Sequence, residues 1–172
     1  GYAAFATSEV QRVARTQMQN FANQQNTHLI LSSRYRLELI VLESCRSALS
    51  TLSLNLHIGT RVGLAASPMG WALLASLPEA ERYYLLNNLE RRMPRDWAQL
   101  RRRASEAIGQ VLEKGYCSAV SDVDSKLGII AVPVQIAGHE PRVLGCVIPS
   151  SQLNRVRVER ELGPQLLAMA QL

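Results

Sequence analysis

One run of the chain limits what it can fold into more than any other. Leu127-Gly128-Ile129-Ile130-Ala131-Val132-Pro133-Val134 is almost continuously apolar. At that length, bounded by polar residues, it reads as a strand, and a strand apolar at both parities needs cover on both faces. Something must pack on each side of the sheet that contains it. The chain has the means: 172 residues suit one domain of roughly 150, and 47% of them are hydrophobic. Only 5% are aromatic, so the core must be aliphatic and rich in alanine.

The rest of the pattern says what provides the cover. Phe5, Val10, Val13, Ala14, Met18 and Phe21 recur at helical spacing. The stretches 27–31 and 37–42 read as a β-hairpin around the polar turn Ser32-Ser33-Arg34-Tyr35. Leu52, Leu54 and Leu56 alternate with Ser53 and Asn55, which predicts a half-buried third strand. Ser67 can cap a helix whose first position is Pro68, where a missing N–H costs nothing. Pro78 opens a second helix, from Glu79 to about Arg91, and Pro94 ends it.

Asp96 and Gln99 have capping-box spacing ahead of a longer helix. Its apolar face carries Trp97, Leu100, Ala104, Ala107, Ile108, Val111 and Leu112, and Gly115 is its stop. Strands at 116–120, 127–136 and 142–148 follow, then a helix from Pro149-Ser150-Ser151 to Leu172. Helix, three strands, helices, three strands, helix predicts an α+β fold, one antiparallel sheet with helices packed on it.

Few residues suggest chemistry. Nineteen basic against fourteen acidic residues leave a net charge of +5, which permits weak attraction to nucleic acid without demanding it. Arg91, Arg92, Arg95, Arg101, Arg102 and Arg103 form the densest cluster, without the interleaved aromatics that stack on bases. It reads as a solvated helix face with pairing between subunits. Cys45, Cys117 and Cys146 match no metal or redox spacing, so buried inert thiols in a reducing compartment are expected, with no metal. His28, His57 and His139 are scattered, and no hydrolase, metalloprotease, P-loop or dinucleotide motif occurs. The expectation is a protein that is not an enzyme and carries no cofactor. No apolar stretch nears the ~20 residues of a membrane span. The start, Gly1 to Phe5, lacks the basic region of a signal peptide, so a cytoplasmic location without a membrane partner is expected.

Three segments together resemble a known family. They are GLAASPMGWALLASLP at 63–78, LEKGY at 112–116 and GIIAVPV at 128–134. Their order and separations are similar to those in the effector-binding domain of the IclR-type bacterial transcription regulators. The resemblance covers 27–172 well and the first helix loosely. It implies a GAF-like fold with a six-stranded antiparallel sheet flanked by helices. It also implies a small-molecule pocket, assembly as a dimer or tetramer, and DNA binding through an N-terminal winged helix-turn-helix domain. No helix-turn-helix pattern precedes residue 27. The expected organisation is therefore a linker or dimerisation helix at 1–26 and an effector-binding domain at 27–172. DNA would be met only through a domain outside this chain.

The resemblance places the effector against the helix that begins at Ser67, with pocket positions at Pro68, Met69, Gly70, Ala119, Ile129, Cys146 and Ile148 and with Leu52 and Leu54 nearby. A helix N-terminus suits a carboxylate, and the N–H groups of Met69 and Gly70 are the expected donors. Where the family often has polar groups this chain has apolar ones, so the expected ligand is an organic acid with an apolar body. Asp122 and Asp124 could reach it from the rim, though they also read as solvated turn residues. Two alternatives stay open: a dimerisation domain that binds no ligand, and a small cysteine-dependent enzyme pairing Cys146 with His57.

Overall fold

The computed structural model describes residues 2–171, with side chains described from residue 11. Helix α1 (Tyr2–Gln25) leads into strands β1 (His28–Tyr35), β2 (Glu38–Arg46) and β3 (Arg61–Gly63). Helices α2 (Pro68–Ser76), α3 (Glu79–Arg92) and α4 (Trp97–Lys114) follow. Strands β4 (Cys117–Val120), β5 (Leu127–Val134) and β6 (Arg142–Pro149) complete one antiparallel sheet in the order β3-β2-β1-β6-β5-β4. The chain then makes a 3₁₀ turn (Ser150–Gln152), a π-helical stretch (Arg157–Leu162) and α5 (Gly163–Ala170). This is the α+β, GAF-like arrangement that the resemblance implied.

The apolar run at 127–134 is β5, and it is covered on both faces. Ile129 and Ala131 join the core beneath α2 and α4. Ile130, Val132 and Val134 join a second core beneath α1 and α5, with Met18, Phe21, Leu162 and Leu166. Helix α2 is buried from Pro68 to Ala75, between the sheet and α4. Ser67 caps it as its spacing suggests: the Met69 N–H donates to Ser67 Oγ at 3.2 Å. Gly115 ends α4 at a φ of 91°, the left-handed conformation that glycine adopts without a Cβ clash.

Several local expectations fail, among them the single final helix from Pro149, which is a 3₁₀ turn, a π-helical stretch and the short α5. The Ser32–Tyr35 turn is the end of β1, and the turn is Arg36-Leu37, with Arg36 at a φ of 56°. β6 pairs with β1 through Ser33 and β2 pairs with it through Tyr35, so ladders hold the segment extended despite its polar side chains. Leu52, Leu54 and Leu56 are half-buried and their neighbours exposed, yet the segment pairs with no strand. The place beside β2 is taken by Arg61–Gly63, which pairs with Glu38–Ile40 after a turn at Gly59. Asp96 makes no side-chain cap on α4, and Leu112 is 63% exposed, off the buried stripe. On α1, Met18, Phe21 and Ala22 are buried and Val13 is half exposed; Phe5 and Val10 lie outside the described side chains.

Candidate functional site

Above the first half of β5 lies a cavity of about 410 Å³. Leu127 and Ile129 of β5 and Val147 of β6 form its floor. The extended segment before β3 closes one side with Leu54 and Leu56, and Met69 closes it at the start of α2. Period-2 burial explains the wall: residues 52, 54 and 56 turn inward although no ladder holds them. Thr60, Arg61 and Val62 come from the edge strand and the turn before it. Ser121, Val123 and Asp124 reach in from the loop after β4.

The helix end offers this cavity less than its sequence promised. The Met69 N–H is spent on Ser67 Oγ, and the Gly70 N–H donates to the Ser67 carbonyl at 3.1 Å. The Trp71 N–H reaches the same carbonyl at 3.4 Å, and Pro68 has no N–H. The first turn thus satisfies itself, which corrects the expectation of free donors at Met69 and Gly70. Gly70 does not face the cavity either. A Cβ there would lie 1.7 Å from the Leu64 carbonyl oxygen, so its bare face is filled by backbone.

Charge is supplied by side chains instead. Arg61 lines the cavity, makes no ion pair among the described residues, and holds its guanidinium 5.7 Å from the Tyr35 ring centroid. The stacking holds the cation beside the cavity without neutralising it. Asp124 lines the same cavity, its Oδ1 accepting the Lys126 N–H at 3.0 Å. Its loop is tied down by Ser121 Oγ, which accepts the N–H groups of Val123 and Asp124. Asp122 points elsewhere and pairs with Arg103 of α4.

The other expected positions divide cleanly. Leu54, Met69 and Ile129 come together in the cavity. Leu52 packs on the core beside it, and the Pro68 carbonyl accepts the Cys117 thiol at 3.6 Å. Ala119 lines a separate cavity of about 220 Å³ between α4 and β4. Cys146 and Ile148 lie on the opposite face of the sheet, in the core beneath α1 and α5. The register requires this. Ile129 sits across from Val147 and Ala131 across from Gly145, and residues directly opposite share a face. Gly145 and Val147 are therefore the β6 residues on the cavity side. The sequence marks Leu56 as half-buried but gives no sign that it lines the site, and it gives none for Arg61, Val62 or Val147.

The thiols and imidazoles do not assemble into a reactive group. Burial pushes Cys117 and Cys146 up to about 12, so both stay protonated near neutral pH. Cys45 is raised as well, first by burial and then by Glu43. His28 is buried with Nε2 2.6 Å from Ser44 Oγ, and its pKa is pulled down to about 4 by burial, then by Arg46 and His57. Among the described residues no group of three or more His, Cys, Asp or Glu could hold a metal ion. Nor is any helix long and apolar enough to cross a membrane. What the arrangement can do is enclose a small molecule, on apolar walls, between a cation and a carboxylate.

Known proteins share this architecture. The family model described as "Bacterial transcriptional regulator IclR C-terminal" matches residues 2–172. The HTH-type transcriptional regulator TsaQ1/TsaQ2 of Comamonas testosteroni is 26% identical over 164 residues, 94% of this chain and 59% of that protein. The crystal structure of an IclR family transcriptional regulator from Brucella abortus superposes with a TM-score of 0.86 at 29% identity, covering 99% of this chain and 64% of that one. An IclR homolog from Microbacterium hydrocarbonoxydans, complexed with 4-hydroxybenzoate, has the same fold at a TM-score of 0.69 and 20% identity, over 92% and 65% of the two chains. The chain thus spans about six-tenths of the length of these relatives. With the family model matched from end to end and the sheet and helices in the same arrangement, this chain belongs to the IclR family of bacterial transcriptional regulators, whose C-terminal domain it represents.

Proposed function

We propose that this domain senses a small aromatic acid and passes its occupancy to a DNA-binding domain outside these residues. The observation that carries the reading is the 410 Å³ cavity with Arg61 on its lining, unpaired among the described residues. That volume is near the small end for ligand sites, so it suits a single ring with few substituents. Leu54, Met69, Ile129 and Val147 give the ring apolar contact. Arg61 takes the carboxylate, and Asp124 accepts a ring hydroxyl. The Microbacterium homolog, bound to 4-hydroxybenzoate, supports a ligand of this class.

The test is thermal unfolding with 4-hydroxybenzoate as the probe. At one hundred times the dissociation constant, binding to the native state alone stabilises by about 2.7 kcal/mol. Arg61→Gln removes a charge-assisted contact worth about 1.5–3 kcal/mol and should weaken binding roughly ten- to a hundredfold. No stabilisation by any of a panel of aromatic acids would favour the second reading, a domain that serves assembly alone. That reading has its own support in Val13, half exposed on α1. Self-association through α1 accompanies either reading, and sedimentation should show a dimer or tetramer at micromolar concentration.

This domain alone should bind DNA weakly and with strong salt dependence, through arginines such as Arg101 and Arg102. Tight, sequence-selective binding by residues 1–172 would contradict the division of labour.

A further inference from the structure

We propose that the groove between α1 and α5 is a second small-molecule site, one that takes a medium-chain carboxylic acid with its head on Arg142. The groove holds a cavity of about 290 Å³ on the face of the sheet away from the effector cavity. Leu31 of β1 and Leu144 of β6 form its floor. Its walls come from Met18 of α1, Met169 of α5, Ile58 before β3 and Ile136 after β5. A flat surface suits a protein partner, whereas a walled, mostly apolar hollow with few polar groups suits a small molecule. An occupant here touches α1, and no described α1 side chain lines the effector cavity.

The lining sets the ligand's chemistry. Among the described residues no aromatic side chain faces the groove, and two methionines do. Their unbranched thioethers adapt to a flexible chain, where a rigid ring would need a fitted slot. The register aims Arg142 at this groove. Arg142 lies directly opposite Val134, which is buried beneath α1 and α5, and opposite residues share a face. Arg142 is half-buried and makes no ion pair among the described residues. Its guanidinium is thus free to take a carboxylate through two parallel hydrogen bonds. Glu43 lines the β2 side, across from Leu31, and repels an anionic head there. The head therefore has one place to sit, and the alkyl chain runs from it over Leu144 toward Met18.

Octanoate, its shorter homologues and octanol are the probes. The chain has four methionines, so ¹³C-methyl labelling gives four signals, assigned by single substitutions such as Met18→Leu. Met18 and Met169 report on the groove and Met69 on the effector cavity. Octanoate should shift and saturate the Met18 and Met169 signals and leave Met69 in place. From pentanoate to octanoate the dissociation constant should fall about three- to fourfold per methylene. Arg142→Gln should weaken octanoate about ten- to a hundredfold and leave octanol unchanged, which also shows the variant's groove to be intact. Ala14→Phe, which fills the groove, should abolish both responses while Met69 and Met93 keep their positions. 4-Hydroxybenzoate reports through Met69, so either reading can fail while the other stands. The proposal is overturned if Met18 and Met169 ignore octanoate, if Met69 moves with them, or if chain length has no effect. Equal octanoate affinity in Arg142→Gln overturns it too, as do groove signals that respond only to protein concentration, the mark of a second copy covering the face.

Discussion

Met69 lays its side chain directly against the backbone of Gly145. A β-carbon built on Gly145 would stand 2.3 Å from Met69 Sδ and 2.8 Å from its Cγ. Gly145 lies between Ile30 and Ala131 in the middle of the sheet, and Met69 is 1% exposed, so neither can withdraw freely. Gly145→Ala should destabilise by about 1–3 kcal/mol through overpacking. Denaturant unfolding of the double-mutant cycle with Met69→Ala checks the cause. With the methionine removed, much of the Gly145→Ala penalty should vanish, a coupling of about 1 kcal/mol or more.

Gly70 should tolerate substitution still less. The atom in its way is the Leu64 carbonyl oxygen, 1.7 Å from a Cβ, and that oxygen belongs to the backbone. Gly70→Ala should cost about 3 kcal/mol or more, the upper end of overpacking penalties. Unlike Gly145→Ala, no single side-chain deletion should relieve it. Unfolding midpoints of Gly70→Ala with and without Met69→Ala give the comparison.

What could be read from the sequence follows physical lines. Burial at both parities along 127–134, the Ser67 cap and the Gly115 stop were legible because each leaves a local signature. The strand expected at Leu52–Leu56 shows the limit: alternation reports which side chains are buried, and a segment without a partner alternates as a strand does. That Cys146 and Ile148 face away from Ile129 is not legible, because Val143 to Ile148 is buried throughout and no polar residue marks the phase. A slip of one residue then flips the whole set. Arg61 stands out in the sequence by its isolation. It is the only arginine, lysine, aspartate or glutamate between Arg46 and Glu79.

Stability should fall in mild acid because of His28. Its pKa is about 4 in the folded chain against 6.5 for an ordinary histidine. The unfolded chain therefore binds more protons between those values, and protonation favours unfolding. The loss begins as pH drops through 6.5, deepens toward 4, and amounts to at most about 3 kcal/mol. Above pH 7 the contribution is flat. His28→Gln should remove this slope, read as unfolding free energy against pH, whatever it does to stability at pH 7.

All three cysteines should resist alkylation in the native protein. Cys45, Cys117 and Cys146 are buried, and burial holds their thiols protonated. Iodoacetamide at pH 8 should modify none of them in native protein and all three after unfolding, as counted by mass spectrometry. Rapid native labelling of Cys146 would revive the reading as a cysteine-dependent enzyme.

The crystal structure of this domain soaked with 4-hydroxybenzoate decides where the effector sits. The carboxylate should lie within hydrogen-bonding distance of the Arg61 guanidinium, with the ring between Leu54 and Ile129 and the hydroxyl toward Asp124. A ring found instead on the Cys146 face, in the apolar groove among Met18, Leu144 and Met169, would contradict this placement. So would an empty cavity at Arg61 in a crystal saturated with the acid.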